Sequence, residues 1–111
     1  MEFRKIEASS RKLTLVISGD FDAVGSKSLL PHIDQVISKD KHKEVAIDFS
    51  QVSFLDSSGI GAIVYFYKRL IEIERAMILE NVQGQPLKLI NLLRIGKVIP
   101  INVKKPLECV N

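Results

Sequence analysis

Short apolar runs and helically spaced apolar residues alternate along the chain, and together they predict eight secondary-structure elements. Strands are predicted at 2–8, 13–18, 44–49, 77–79 and 98–103, and helices at about 28–38, 57–74 and 85–93. The order is β-β-α-β-α-β-α-β. Because helices alternate with the later strands, we expect an α/β fold: a single mixed, mostly parallel sheet with helices packed on it and an antiparallel first strand.

The start of the first helix depends on a proline. Apolar residues with helical spacing are Leu29, Leu30, Ile33, Val36 and Ile37. Pro31 would remove a backbone hydrogen bond if the helix began much earlier, so we expect it to begin or bend near Ser28. The preceding Asp20-Phe21-Asp22 segment is expected to form a loop.

Individual residues add expectations for the other elements. The 44–49 strand is nearly continuous in apolar residues apart from Asp48, which is typical of a central strand covered on both faces. Pro86 fits the first position of the third helix and Gly96 fits its C-terminal stop. Pro100 places the last strand at a sheet edge or divides it into two fragments. The expected apolar contacts of the third helix are Leu87, Ile90, Leu92 and Leu93.

The 57–74 helix has one apolar stripe, which is expected to face the sheet. Its members are Ile60, Ile63, Val64, Tyr67, Leu70 and Ile71. Ala62, Tyr65, Phe66 and Arg69 would then project outward. Tyr65 and Phe66 are therefore candidate anchors for a protein partner, although packing beneath a neighbouring helix is an equal alternative.

Composition narrows the class of protein. The 111 residues predict one compact domain over 1–111, and 46% apolar with 26% charged residues is ordinary for a globular protein. The net charge is only +3, and the basic residues are scattered along the chain, which argues against a nucleic-acid partner. The single Cys109 indicates a reducing compartment. The sequence has neither a signal-peptide pattern nor a membrane span of about 20 apolar residues, so a cytoplasmic location without membrane insertion is expected.

Candidate chemistry is concentrated where the 57–74 helix begins. Asp56 can cap the helix by accepting from the amides of Ser58 or Gly59, which leaves Ser57 and Ser58 at the first two helical positions. Gly59 and Gly61 are unusual in an early helix; they permit either close approach of another protein or tight helix-to-sheet packing. The residues alone leave two interpretations: a helix cap, or a phosphorylated switch.

Enzymatic alternatives find little support in the sequence. Ser57 would need a base, but His32 and His42 are not tied to it by sequence, and both are expected at the surface. A receiver domain carrying phosphate on aspartate would need five βα units, whereas this chain opens with two strands. No metal-ligand cluster or phosphate-binding loop occurs, so no enzyme activity and no cofactor are predicted.

The GDFD segment containing Asp22, the strand VAIDFSQVSFLD, the following DSSGIGAIV and the continuation YFYKRL resemble the STAS family of anti-sigma factor antagonists. The resemblance extends over about 3–101. It implies the STAS fold and a regulator that switches between protein partners. In that family the serine after the aspartate is phosphorylated by a serine kinase that is itself the anti-sigma factor or a related kinase, and a serine phosphatase reverses the modification.

Carried over residue by residue, the resemblance identifies Ser57 as the phosphorylated serine and Asp22 as the acidic residue near the kinase's nucleotide site. The predicted partner-binding residues are Asp20, Asp22, Asp56, Ser57, Ser58, Gly59, Gly61, Ala62, Tyr65 and Phe66. The chain departs from the family pattern at Gly19-Asp20-Phe21-Asp22, where the second residue is usually glutamate, and at Leu92-Leu93-Arg94-Ile95-Gly96.

The resemblance is compatible with more than one role. Transcription control through a sigma factor is one output, and control of polysaccharide or biofilm production is another. A non-phosphorylated STAS subunit that acts as a scaffold in a transporter or stress complex is the main alternative, and the intact Asp56-Ser57 pair argues against it.

Overall fold

The computed structural model describes residues 1–103, and it contains one five-stranded sheet in the order β1-β2-β3-β4-β5. The elements are β1 (Glu2–Glu7), β2 (Lys12–Phe21), α1 (Ala23–Lys39), β3 (Glu44–Leu55), α2 (Ser57–Glu72), β4 (Ala76–Val82), α3 (Gly84–Leu92), a short 3₁₀ helix (Ile95–Lys97) and β5 (Ile101–Val103). Strand β1 pairs antiparallel with β2, and the other pairs are parallel. The predicted α/β fold class is confirmed.

The core lies on the helix-covered face of the sheet. Leu13 pairs with Val45 and Leu15 with Ile47 across β2 and β3, and all four side chains are buried. The helices contribute Leu29, Ile33 and Val36 from α1, Ile60, Ile63, Phe66 and Leu70 from α2, and Ile90 from α3. Since full burial of each such side chain stabilises the fold by roughly 1.5–3 kcal/mol, this face supplies most of the stability.

The opposite face of the sheet differs from the expectation that β3 is covered on both sides. All three helices contribute to the one core, yet Ala46, which alternation places on the opposite face, is fully buried. Lys12 of β2 and Glu80 of β4 form an ion pair of 2.6 Å that reaches across β3 on this side. The hydrogen bond to Glu80 raises the pKa of Lys12. Long polar side chains of the neighbouring strands therefore take the place of a covering helix.

Helix α1 begins five residues before the predicted start. Asp20 and Phe21 belong to β2, with Phe21 fully buried, so the predicted loop is wrong. Asp22 is the N-cap, and Pro31 lies inside the helix. The carbonyl of Lys27 loses its helical partner at Pro31, but both residues are exposed, so water can satisfy that carbonyl.

Strand β3 continues six residues past the predicted 44–49 segment. Its pairing with β2 shifts register between Val16 and Ser18 and again between Gly19 and Asp20. These irregularities break the alternation of buried and exposed residues, which is the signal that sequence patterning reads as a strand. The extension is important because it carries β3 directly to the start of α2.

The last third of the described chain departs from three predictions. Leu92 and Leu93 are exposed rather than packed, because a nine-residue helix that buries Pro86 and Ile90 turns position 92 toward solvent. Pro86 is the third residue of α3, not the first. The left-handed residue after α3 is Arg94, with φ 56°, rather than Gly96.

The final strand is shorter than predicted. Val98 is exposed and Ile99 is buried, but neither belongs to a strand, and β5 contains only the segment after Pro100. The carbonyl of Pro100 accepts a hydrogen bond from the amide of Leu79 at 2.9 Å. Strand β5 lies at a sheet edge, as the proline predicted.

His42 is buried, which corrects its predicted surface position. Its ring Nε2 lies 3.1 Å from Glu7 Oε1, and its carbonyl accepts from Arg75 Nε at 2.6 Å. The same guanidinium donates to the carbonyl of Val36 at 3.1 Å, in the last turn of α1. Burial lowers the pKa of Arg75. This polar cluster joins α1 and β1 to the connections that precede β3 and β4, at the end of the sheet away from Ser57.

Candidate functional site

Two helices begin side by side at the edge of the sheet that is formed by the carboxyl ends of its parallel strands. Strands β2 and β3 are parallel, and their last residues, Phe21 and Leu55, are Cα partners. Each strand is followed by one aspartate and then a helix, with Asp22 capping α1 and Asp56 capping α2. The amide of Asp56 donates to the carbonyl of Phe21 at 3.3 Å, which ties the two junctions together.

The α2 junction displays a serine. Asp56 Oδ1 accepts from the amides of Ser58 at 2.9 Å and Gly59 at 3.2 Å, so the predicted cap is confirmed. Ser57 is the first helical residue and is exposed, while Ser58 is half-buried. The amino end of the helix carries partial positive charge beside Ser57, which favours a negatively charged group there.

The α1 junction has the same construction, but no serine lies between its aspartate and its glycine. Asp22 Oδ1 accepts from the amide of Gly25 at 3.0 Å, so both aspartates bond to a glycine three residues later. The two intervening residues are Ala23 and Val24. Both junctions therefore follow the pattern Asp-x-x-Gly, which only the structure shows to be a repeated element.

The two glycines are required by packing. A Cβ atom on Gly59 would lie 2.5 Å from the carbonyl oxygen of Phe21, and one on Gly25 would lie 2.6 Å from that of Asp20. Gly61 has no atom within 4 Å of such a Cβ and faces outward. Of the two readings of these glycines, the tight helix-to-sheet packing applies to Gly59, whereas Gly61 leaves open space above α2.

A shallow groove of about 390 Å³ separates α1 from α2 next to the junctions. Its lining residues are Ala23, Ser26, Lys27, Leu30, Ser58, Gly61, Ala62 and Tyr65. Tyr65 and Leu30 are each about two-fifths exposed, at 41% and 42%. The Tyr65 hydroxyl accepts from Arg69 at 2.6 Å, and Arg69 also contacts Asp34 of α1 at 3.4 Å. Tyr65 is thus held in place at one end of a largely apolar groove.

The predicted outward position of Phe66 is wrong, since its side chain is fully buried in the core. Ala62 is also mostly buried, while Ile71, expected to face the sheet, is 49% exposed. The stripe is rotated because Gly59 brings that side of α2 against the strand ends. Val64 and Tyr67, placed on the stripe, are only partly buried beside the core.

Phe54 is an exposed aromatic residue that the sequence reasoning missed. It is 43% exposed and lies beside Asp20 in the register of β2 and β3, two residues before Asp56. Asp20 is itself exposed, whereas the Asp22 carboxylate is engaged as a helix cap. The strand had been predicted to end at Phe49, so no exposed position was expected at Phe54.

Gln85 is a second residue that sequence reasoning missed. Its amide makes two hydrogen bonds with the backbone of Leu55: Nε2 donates to the carbonyl at 2.7 Å, and Oε1 accepts from the amide at 2.8 Å. Leu55 immediately precedes Asp56. A glutamine at a helix start carries no pattern that would reveal this contact 30 positions away.

The fold and the site define a class: a single-sheet α/β domain in which two capped helix starts meet at one sheet edge and one of them displays a serine. The family model of the STAS domain matches residues 4–106. The chain therefore belongs to the STAS domain family, as the sequence motifs predicted.

Solved structures similar to the chain include an anti-sigma factor antagonist from Mycobacterium paratuberculosis, with 23% identity and a TM-score of 0.79 over 97% of this chain and 90% of that chain. The Bacillus cell fate determinant SpoIIAA, in its phosphorylated form, has 19% identity and a TM-score of 0.70 over 96% and 94% of the two chains. A sulfate transporter family protein from Wolinella succinogenes has 15% identity and a TM-score of 0.69 over 80% and 74%. These similarities confirm the fold.

Two further observations concern residues 1–103 only. No helix in this range is long and apolar enough to cross a membrane. The same range contains no group of three or more histidine, cysteine, aspartate or glutamate residues placed to hold a metal ion. Cys109, on which the predicted reducing compartment rests, lies outside the described residues.

Proposed function

We propose that the protein is an anti-sigma factor antagonist that works by partner switching. Unphosphorylated, it binds a serine kinase or anti-sigma factor through the edge where α1 and α2 begin. Phosphorylation of Ser57 releases that partner, and a serine phosphatase restores binding. The observation that carries the proposal is the exposed Ser57 at the start of α2, in a junction whose twin at α1 has no serine between its capping aspartate and its glycine.

The electrostatics of the junction support release by phosphorylation. Phosphate adds nearly two negative charges, which the amino end of α2 tolerates. The added charge would lie close to Asp56, whose carboxylate already occupies the amides of Ser58 and Gly59. A partner that fits the unmodified edge would meet a more negative and bulkier surface, while the helix itself would stay folded.

The shape of the edge supports a protein partner. The groove between α1 and α2 offers an apolar floor with Tyr65 fixed at one end, and Phe54 offers a second exposed ring on the strand side of Ser57. Aromatic residues that are partly exposed and held rigid are frequent anchors at interfaces. We place the partner across both features, with Ser57 between them.

The structural relatives support the same role. SpoIIAA has been solved in its unphosphorylated and its phosphorylated forms, at 18% and 19% identity to this chain. Both forms match this chain with a TM-score of 0.70, which fits a switch that acts at the surface and leaves the fold unchanged.

Phosphate mapping tests the proposal. The purified chain is incubated with ATP and an extract of the organism that encodes it, and phosphopeptides are identified by mass spectrometry. We expect one phosphate on Ser57, none in Ser57→Ala and wild-type incorporation in Ser58→Ala, the matched control. Full incorporation in Ser57→Ala, or none in the wild type, contradicts the proposal.

Binding separates the switch from a constitutive scaffold, the role suggested by the similarity to a sulfate transporter family protein. The kinase purified by its activity on Ser57 should bind Ser57→Ala as tightly as wild type. Ser57→Asp should bind at least about tenfold more weakly, because one or more contacts worth about 1.4 kcal/mol are lost. Equal binding of both variants favours the scaffold.

A further inference from the structure

The end of β3 is held on its two sides by different groups. On one side it pairs with β2, where Phe21 is the partner of Leu55. On the other side, the pairing with β4 extends only as far as Asp48 and Glu80. At Leu55 the amide group of Gln85 occupies that second side and donates and accepts one hydrogen bond each, as the backbone of a neighbouring strand would.

Both hydrogen bonds are partly buried: the Leu55 end is buried, whereas Gln85 itself is exposed. Leu55 is fully buried, and a buried amide or carbonyl without a partner is costly. The two distances of 2.7 and 2.8 Å are short for neutral groups. Gln85 is the second residue of α3, a helix whose N-cap, Gln83, makes no side-chain capping bond. The glutamine amide is thus committed to β3 rather than to its own helix.

We propose that Gln85 is a positioning residue for the phosphorylation of Ser57, an inference that rests on the proposed function. By holding the backbone of Leu55, it fixes the direction in which the chain enters Asp56 and Ser57. In the transfer, Ser57 Oγ bonds to the γ-phosphorus of ATP, the bond from that phosphorus to the ADP oxygen breaks, and the hydroxyl proton passes to a base of the kinase. The kinase needs that oxygen in one place.

The first test needs no kinase. Amide hydrogen exchange of Leu55, followed by NMR, should be at least about tenfold faster in Gln85→Leu than in wild type, because the amide loses its acceptor. Gln83→Leu, the same change two residues earlier, should leave the exchange at Leu55 unchanged. Wild-type exchange at Leu55 in Gln85→Leu overturns the inference.

The second test measures phosphorylation of Ser57 by the purified kinase, well below the melting temperature of every variant. Gln85→Leu should lower kcat/KM about 5- to 50-fold, as expected for a small misplacement of the acceptor oxygen. Gln85→Glu should fall in between, because its carboxylate can accept from the Leu55 amide but cannot donate to the carbonyl. A merely structural role would lower the melting temperature and leave kcat/KM of the folded protein unchanged.

The outcomes distinguish the two proposals. If wild type and Gln85→Leu are phosphorylated equally fast, the positioning role is overturned and partner switching stands. If wild type is not phosphorylated at all, partner switching and the positioning role fail together, while amide exchange still decides whether Gln85 holds the end of β3.

Discussion

The starts of α1 and α2 are two versions of one junction. In each, a buried strand ends, an aspartate caps the helix, and a glycine three residues later packs against a backbone carbonyl. The caps bond to those glycine amides at 3.0 and 3.2 Å. The two residues between aspartate and glycine differ in kind: Ala23 and Val24 at α1, Ser57 and Ser58 at α2.

The difference separates architecture from function. Because α1 begins with alanine and valine, a helix start of this kind needs no hydroxyl group between its capping aspartate and its glycine. The serines of α2 are therefore not explained by capping, which was the competing interpretation of the sequence. Ser57 is therefore available for modification. Because the two junctions are alike, a substitution in one can be compared with the same substitution at the equivalent position of the other.

The largest effect on stability should come from the glycines. Gly59→Ala and Gly25→Ala each place a Cβ atom within 2.6 Å of a strand carbonyl, which cannot move away cheaply. Overpacking of this kind costs roughly 1–3 kcal/mol of unfolding free energy. Urea unfolding of both variants should show similar losses.

Gly61→Ala is the matched control for this prediction. Nothing lies within 4 Å of the added methyl group, and the residue is inside a helix. The variant should be more stable than wild type by about 0.5–1 kcal/mol, because alanine favours the helix. If Gly59→Ala behaves like Gly61→Ala, the packing role of the glycine is wrong.

The caps should follow with a smaller effect. Asp22→Ala and Asp56→Ala should each lower the unfolding free energy by about 1 kcal/mol. Asp56→Ala should be the more damaging, since Asp56 serves two amides and Asp22 serves one. Asn at either position should restore much of the loss. Equal unfolding midpoints for wild type and Asp56→Ala would show that the hydrogen bonds do not support the junction.

The sequence predicted the order of elements and the mixed sheet because those depend on apolar periodicity, which is strong in β2, α2 and the first half of β3. It also predicted the α2 junction, because Asp56 directly precedes a helix with a clear apolar stripe. It failed at α1 because Pro31 was taken to set the start of the helix near Ser28, while Asp22 was placed in a loop. Pro31 is exposed inside the helix, where water can satisfy the carbonyl that loses its helical partner.

Within the site, the missed residues depend on tertiary contacts. Phe66 was assigned to the surface because a helical stripe could equally include Val64 and Tyr67; the packing of Gly59 selects the rotation. Gln85 contacts Leu55 across 30 positions of sequence, and no local pattern reports such a bond. Periodicity in a sequence predicts which face of a helix or strand is buried and roughly where that element ends. It does not predict which distant side chain bonds to the backbone of an irregular strand.

Ser57→Ala should separate stability from function. If the α1 junction is a valid guide, alanine after the capping aspartate is structurally acceptable, as Ala23 shows, and the unfolding free energy should change by less than about 0.5 kcal/mol. Phosphorylation by the purified kinase should nevertheless be lost completely. A loss of more than 1 kcal/mol, with phosphate still incorporated at Ser58, would make the serine a structural residue.

The smallest expected effect is that of Ala23→Ser in the Ser57→Ala background, which gives α1 the Asp-Ser-x-Gly pattern of α2. Its stability should change by only a few tenths of a kcal/mol, because alanine and serine differ little at a helix start. We expect no phosphate on the new serine, since the kinase would meet exposed Val24 in place of Ser58 and, two residues before the capping aspartate, exposed Asp20 in place of Phe54. Mass spectrometry after incubation with kinase and ATP decides. Phosphate at position 23 would mean that the short pattern suffices for recognition and that the surroundings of α2 contribute little.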